Sequence, residues 1–380
     1  MNTPAQTPAQ FRAAVVREPR GAFAIESARL DDVRDDEVLV RVVASGLCHT
    51  DVAVRNGVMP TPLPAVLGHE GSGVVEAVGS AVRYVQPGDH VVLSYLSCGT
   101  CKECEAGRPS SCISIRPLCF GGCRPDGSHA IESHDGSTLH DRFFGQSSFA
   151  DYAVANERNV IKVDTDLPLQ LLGPLGCGFM TGAGAMWNEL PVVPGSIVAV
   201  FGTGAVGLSA IMAARIAGAT TIIAIDRVQE RLALSAELGA THGVDSSGGD
   251  TAEKIRAIAP TGVNVAFDTS GRPEIIRAAF DVLAQRGVLG LVAPAGDVAF
   301  NVPELIGGCK TVKGIALGGG SARTLVPLML DYYRKGQYPF DRLVQYYPLS
   351  GINDAVRDSG EGRVIKPVLL MDEQVPRETS

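Results

Sequence analysis

The chain has 380 residues, 45% of them hydrophobic and 19% charged, which suits a globular protein of two or three domains rather than one core. Its formal net charge of −8 argues against nucleic acid or an anionic membrane as partner, since both select a basic surface. The opening MNTPAQTPAQ lacks the charged and apolar regions of a secretion signal, and no apolar run is long enough to span a membrane, so a cytoplasmic protein is expected.

Residues 11–160 alternate short apolar runs with glycine and proline, and FRAAVV, EVLVRVVAS, GSGVVEAVG and DHVVLSYL read as strands of a β-rich region. Around residues 165–190 the segment LQLLGPLGCGFMTGAGAMWNEL reads as helix and tight turns. From Ser196 the texture becomes SIVAVFG (strand), AVGLSAIMAARIAG (helix), TTIIAID (strand), QERLALSAELG (helix), NVAFDTSG, IIRAAFDVL and GVLGLVAP. Such alternation predicts an α/β fold with a parallel sheet covered on both faces. After GGGSA at 318–322 come a helix, TLVPLMLDYYRKG, and a final strand, VIKPVLLM; there is no repeat and no low-complexity block.

Gly202, Gly204 and Gly207 form a GxGxxG that follows one predicted strand and opens a predicted helix. Glycines at this spacing permit a tight turn and close approach of a pyrophosphate to a helix N-terminus. Asp226 ends the next strand, where a carboxylate accepts ribose hydroxyls and repels a 2′-phosphate, favouring NAD over NADP. Arg227 beside it is the one feature that would tolerate the extra phosphate. The competing reading is a structural turn with a surface Asp.

Nine cysteines is an odd count for a disulfide framework, and four of them, Cys98, Cys101, Cys104 and Cys112, lie within 15 residues. Without a secretion signal such clustering favours metal over disulfides. Four thiolates make a closed, loop-ordering zinc site with bonds of about 2.3 Å, an iron–sulfur centre being the alternative. Cys48 in GLCHTD, His69 in LGHEGSG and Cys177 in PLGCGF are dispersed. Singly, each reads equally as core; together they offer zinc two thiolates and an imidazole, with one position open for water or alcohol. A hydroxyl bound there loses its proton more readily, and an alkoxide releases hydride more readily.

In this order, GLCHTD, GHEGSGVV, the CxxCxxCx7C lobe, PLGCGFMTGAGA and GTGAVG resemble the zinc-dependent medium-chain alcohol dehydrogenases, with GLCHTD and FFGQSSFA most similar to bacterial aryl-alcohol (benzyl-alcohol) dehydrogenases. The resemblance covers residues 11–371. It implies a GroES-like catalytic domain over 1–178 and 320–380 and a Rossmann domain over 179–319, with NAD and two zinc ions per chain. It implies catalytic roles for Asp51 (orienting the His ligand), Glu70 (behind the zinc) and Thr50 (taking the alcohol proton). It places Thr181, Val206, Arg231, Val292 and Lys366 with the glycines and Asp226 at the cofactor, Arg231 toward the adenosine ribose and Lys366 toward the pyrophosphate. Its substrate-pocket positions are Thr50, Met59, Ser94, Phe143, Pro294 and Ala316.

Two positions depart from the pattern. His49 stands where many relatives carry a phosphate-binding Arg, so it is a candidate both for the cofactor phosphate and for the proton path. Ala53 stands where the animal liver enzymes end that path with a His.

Cys119, Cys123 and Cys309 read as free or packed thiols. His90, His129, His134, His140 and His242 read as turn or surface residues, and Trp187 with the tyrosines at 332–333 and 346–347 as core or interface aromatics. The expected activity is interconversion of a primary, hydrophobic or aromatic alcohol and its aldehyde, by a homodimer or homotetramer. The alternatives are a thiol-adduct formaldehyde dehydrogenase, which wants charge near the pocket mouth that the sequence does not display, and a catalytically silent relative, which would have lost a zinc ligand.

Overall fold

The computed structural model describes residues 10–373. The described residues form two compact units, one comprising 10–177, Ser321–Pro327 and 341–373, the other Gly178–Gly320 and Leu328–Phe340. Residues 328–340, expected in the first domain, therefore belong to the second unit.

The first unit is built on mainly antiparallel sheets, with one parallel pair, Val344–Pro348 against Lys366–Leu370. Its larger sheet runs in the order Val344–Pro348, Lys366–Leu370, Glu37–Gly46, Gly71–Val78, His90–Leu93, Val160–Lys162, with Tyr152–Asn156 also paired to Glu37–Gly46. Glu37–Gly46 is rich in β-branched residues and almost wholly buried, as befits a strand covered on both faces. Its register with Gly71–Val78 shifts twice, between Leu39 and Val40 and between Val42 and Ala44, which bends it toward its C-terminal end. There Gly46 donates its N–H to the Glu70 carbonyl at 2.9 Å. A Cβ on Gly46 would lie 2.1 Å from Glu70 Oε2, so only glycine admits this approach. A four-stranded sheet of Ala65–Val66, Phe11–Val16, Ala24–Leu30 and Ile131–Ser133 completes the unit's β-structure. Ala24–Leu30 escapes sequence reading because its burial follows no clean alternation.

The second unit holds a six-stranded parallel sheet in the order His242–Asp245, Thr221–Asp226, Ile197–Phe201, Val263–Asp268, Leu283–Leu291, Thr311–Gly314. Counted within the unit this is 3-2-1-4-5-6, the doubly wound order whose reversal lies beside the first strand, Ile197–Phe201. Phe201, Ile223, Phe267, Phe280 and Leu289 are all buried in the interior of this unit. Short strands such as His242–Asp245 and Thr311–Gly314, and the helix Thr251–Ile258, lack the long apolar runs that made their neighbours legible. Trp187 is anchored by its Nε1–H to the Ala213 carbonyl at 3.1 Å, with its ring 5.5 Å from that of Tyr332.

Candidate metal centres and dinucleotide cradle

Three chain turns of the first unit converge on one point. The strand Glu37–Gly46 delivers Cys48 as the N-cap of the helix His49–Arg55; the connection from Ala65–Val66 to Gly71–Val78 carries His69 and Glu70; and the turn Gly173–Gly176 ends at Cys177. One ligand atom from each of Cys48, His69, Glu70 and Cys177 lies within 4.8 Å of all the others. Asp51 knits the site together. Its Oδ2 accepts the Cys48 N–H at 2.9 Å, and its Oδ1 accepts the Gly68 N–H at 3.0 Å and sits 3.0 Å from His69 Nδ1. That bond fixes the imidazole so that Nε2 faces the thiols, and Nε2 is buried with no hydrogen-bond partner. A buried polar atom left open in this way needs an explanation, and a soft dication supplies it. Two thiols and an imidazole suit zinc.

These contacts also set the electrostatics of the cluster. The hydrogen bond from Cys177 holds the Cys48 thiol well below its ordinary range, while the same contact with Cys48 pushes Cys177 up. Burial opposes charge on His69, but Asp51 and Cys48 outweigh it and raise the imidazole. Glu70 is fully buried; burial pushes it up while Lys366 pulls it back. Lys366 Nζ donates to both Glu70 oxygens, at 3.0 and 2.9 Å, and to the Leu47 carbonyl at 3.1 Å. These are other partners than the pyrophosphate that the resemblance implies, and three acceptors match the three protons of an ammonium. Thr50 Oγ1 lies 3.7 Å from Cys48 Sγ. His49, the first helical residue, is exposed, and Ala53 is half-buried on the same helix.

The four-cysteine lobe is a second cluster, with the sulfurs of Cys98, Cys101, Cys104 and Cys112 within 4.8 Å of one another. Backbone N–H groups point at these sulfurs: Cys101 to Cys98 and Cys98 to Cys112 at 3.3 Å, and Ser114 to Cys112 at 3.4 Å. Hydrogen bonds from the Thr100 and Cys101 backbone hold the Cys98 thiol down at about 6. Donors aimed at sulfur favour thiolates, the form that binds metal.

Beside His69 stands an aromatic wall. Phe144 stacks on the imidazole at 4.4 Å, Phe143 meets it edge-on at 5.3 Å, and Phe120 packs against both phenyl rings at 5.1 and 5.8 Å. Phe120 is also part of a groove of about 640 Å³ lined by Pro60, Thr61, Pro62, Arg116, Pro117 and Gly121. Sequence reasoning found Phe143 but missed Phe144, Phe120 and Arg116; the paired FF of FFGQSSFA was the available signal for Phe144. Ser94, assigned to the pocket, is fully buried and donates its hydroxyl to the Gly176 carbonyl at 2.6 Å. Met59 is half-buried, whereas Pro294 and Ala316, in the second unit, are exposed.

In the second unit the glycine motif occupies the turn from Ile197–Phe201 into the helix Ala205–Ile216. Gly202 has φ +90, and a Cβ on Gly207 would meet the Gly202 carbonyl at 1.9 Å, whereas Gly204 faces open space. This is a cradle with room for a phosphate at a helix N-terminus, and it fits a dinucleotide. Val206 lies in the first turn of that helix. Asp226 Oδ2 accepts the N–H and the hydroxyl of Thr203, both at 2.7 Å, and Oδ1 accepts the N–H groups of Arg227 and Val228. Burial works against its charge, but these donors outweigh it and hold Asp226 below the usual carboxylate range. Arg227 is exposed, Arg231 is half-buried on the helix Gln229–Leu238, Thr181 is buried on Gly178–Gly184, and Val292 follows Leu283–Leu291.

A doubly wound sheet with a phosphate-sized glycine turn, on a chain that also carries a buried thiolate–imidazole cluster, is the equipment of a metal-dependent oxidoreductase. Residues 34–165 match the alcohol dehydrogenase GroES-like domain family and residues 205–331 the zinc-binding dehydrogenase family. The chain is 45% identical over 364 residues to a geraniol dehydrogenase of Castellaniella defragrans, covering 94% of this chain and 97% of that protein. Among solved structures, an alcohol dehydrogenase zinc-binding domain protein from Burkholderia ambifaria superposes with a TM-score of 0.93 at 50% identity, covering 97% and 99% of the two chains. A benzyl alcohol dehydrogenase from Acinetobacter calcoaceticus gives 0.92 at 44% identity, covering 95% and 99%. The chain belongs to the zinc-dependent medium-chain alcohol dehydrogenases and is an oxidoreductase of that family.

Proposed function

We propose that this enzyme oxidises primary alcohols with an apolar or aromatic body, R–CH2OH + NAD⁺ giving R–CHO + NADH + H⁺, at the Cys48–His69–Cys177 centre. The observation that carries the reading is the open Nε2 of His69 among two thiols, walled by Phe143 and Phe144. Zinc, when bound by Cys48, His69 and Cys177, makes a hydroxyl more acidic. Asp51 holds the imidazole in one tautomer, as a carboxylate behind a metal-binding histidine does. Thr50, next to Cys48, is the residue whose hydroxyl takes the alcohol proton. The phenyl rings exclude water and favour an apolar substrate. Cys98, Cys101, Cys104 and Cys112 hold a second, structural zinc.

For the cofactor, an ionised Asp226 beside the glycine turn supports NAD over NADP. Six of the nine cysteines sit in the two metal-ligand clusters and none of the nine is in a disulfide, which supports a reducing, cytoplasmic location. A homodimer or homotetramer is supported by the edge strand Thr311–Gly314 and by Val302 and Ile306, both exposed one helical turn apart.

One observation favours a second reading. Arg116 brings a cation to the groove beside Phe120, the kind of charge that a thiol-adduct formaldehyde dehydrogenase wants. An NAD-reduction screen over benzylic, terpenoid and short aliphatic alcohols, together with formaldehyde plus glutathione, separates the two. Benzylic or long apolar alcohols should exceed ethanol by ~10-fold or more in kcat/KM, given about 0.8 kcal/mol per buried methylene. Turnover of the glutathione adduct alone would reject the first reading.

A further inference from the structure

The loop that carries the aromatic wall is held in a conformation that its residues do not choose. Arg142, Phe144, Gly145 and Ser147 all have φ between +53 and +77, and only one of the four is glycine. Left-handed non-glycine residues persist only where surrounding bonds over-determine them. Here the bonds are visible. Ser147 Oγ donates to the Val66 carbonyl at 2.6 Å and accepts the Phe143 N–H at 2.9 Å, and Asn159 Nδ2 donates to the Gly145 carbonyl at 3.2 Å. Gln146 makes the decisive set. Its side chain is buried, and its Nε2 donates to the His69 carbonyl and to the Ser94 carbonyl, both at 2.9 Å, while its Oε1 accepts the Gly71 N–H at 3.1 Å. One carboxamide thus brackets the backbone on either side of Glu70 and ties it to the end of the strand His90–Leu93.

We propose that Gln146 is a positioning residue of the His69 centre, clamping the backbone that presents the imidazole and holding Phe143 and Phe144 against it. Glutamine suits the task because its amide offers two donors and an acceptor on one plane. A shorter or purely apolar side chain would leave the His69 and Ser94 carbonyls and the Gly71 N–H unpaired in a buried place. Partners that orient a metal ligand govern metal retention and alcohol placement together. Asp51 holds the ring of His69; Gln146 holds its main chain.

The inference rests on His69 being a metal ligand. The test is zinc release from the purified, fully loaded enzyme to a chromophoric chelator, resolved into its two phases, with KM for benzyl alcohol and for NAD alongside. Gln146→Met keeps length and loses all three bonds. It should release one of the two zinc ions ~10-fold faster, leave the other at the wild-type rate, and raise KM for the alcohol without moving that for NAD. A purely structural role would lower Tm and leave both phases alike, so unchanged phases, or equal acceleration of both, overturn the proposal. Gln146→Glu guards against misfolding of the first variant: it keeps the acceptor for Gly71 and loses both donors, so an intermediate release rate is expected and a wild-type rate overturns the proposal. A wild-type chain that holds only the four-cysteine zinc overturns the ligand assignment and the inference with it.

Discussion

Lys366 and Glu70, 296 residues apart in the chain, form a bidentate ion pair at 2.9 and 3.0 Å with both side chains out of water. Such a pair is strongly destabilising to break from one side, because it strands a buried charge. Lys366→Met should therefore lower unfolding stability by about 3–5 kcal/mol. Lys366→Met with Glu70→Gln should lose less than Lys366→Met alone. Denaturant titration of the three proteins checks this. A double variant less stable than the single one would show that the pairing is not what the lysine contributes.

Asp226 carries the cofactor prediction. Asp226→Ser removes the carboxylate beside the glycine turn and the acceptor for Thr203. The affinity for NADH should fall by about 10-fold or more, the scale of hydrogen bonds to a charged group, while that for NADPH falls less or rises. Fluorescence titration with both nucleotides measures it. An unchanged ratio of the two affinities would mean that Arg227 governs the choice.

His129 gives the pH prediction. Its Nδ1 lies 3.3 Å from Asp141 Oδ1, a carboxylate that is itself buried and also accepts the Ala130 N–H at 2.7 Å. The bond to Asp141 raises the imidazole above its ordinary value, against burial and the charge of Arg124. A raised folded-state value means that the contribution is full below the unfolded value, about 6.5, and is lost as pH rises through the folded one. The Tm of the wild type should hence fall across that window relative to His129→Asn. Parallel Tm–pH curves for the two proteins would refute the linkage.

What the sequence made legible is whatever lies in one contiguous stretch. The GxGxxG could be placed because a strand precedes it and a helix follows, and the four lobe cysteines because a closed metal site needs no long-range partner. The spacing could not reveal that Lys366 faces Glu70, since that pairing is made by the sheet that sets Lys366–Leu370 against Glu37–Gly46. Nor could it reveal Phe120 and Arg116, which reach the groove from the short helix Ile115–Phe120 without any periodic signature. Gln146 stands in FFGQSSFA, yet its buried bonds to His69, Gly71 and Ser94 depend on left-handed backbone that no composition rule announces. Ser94 is a pocket position by resemblance, and spacing could not show that its hydroxyl is committed to the Gly176 carbonyl.

The proposed chemistry requires two metal sites of different kind in one chain. Zinc per chain, measured by elemental analysis on wild type and on Cys177→Ala after purification in zinc-replete buffer, tests it most directly. The expected values are two for the wild type and one for the variant, with the variant folded and nearly devoid of alcohol oxidation. One zinc or none in the wild type, or two retained by Cys177→Ala, would contradict it.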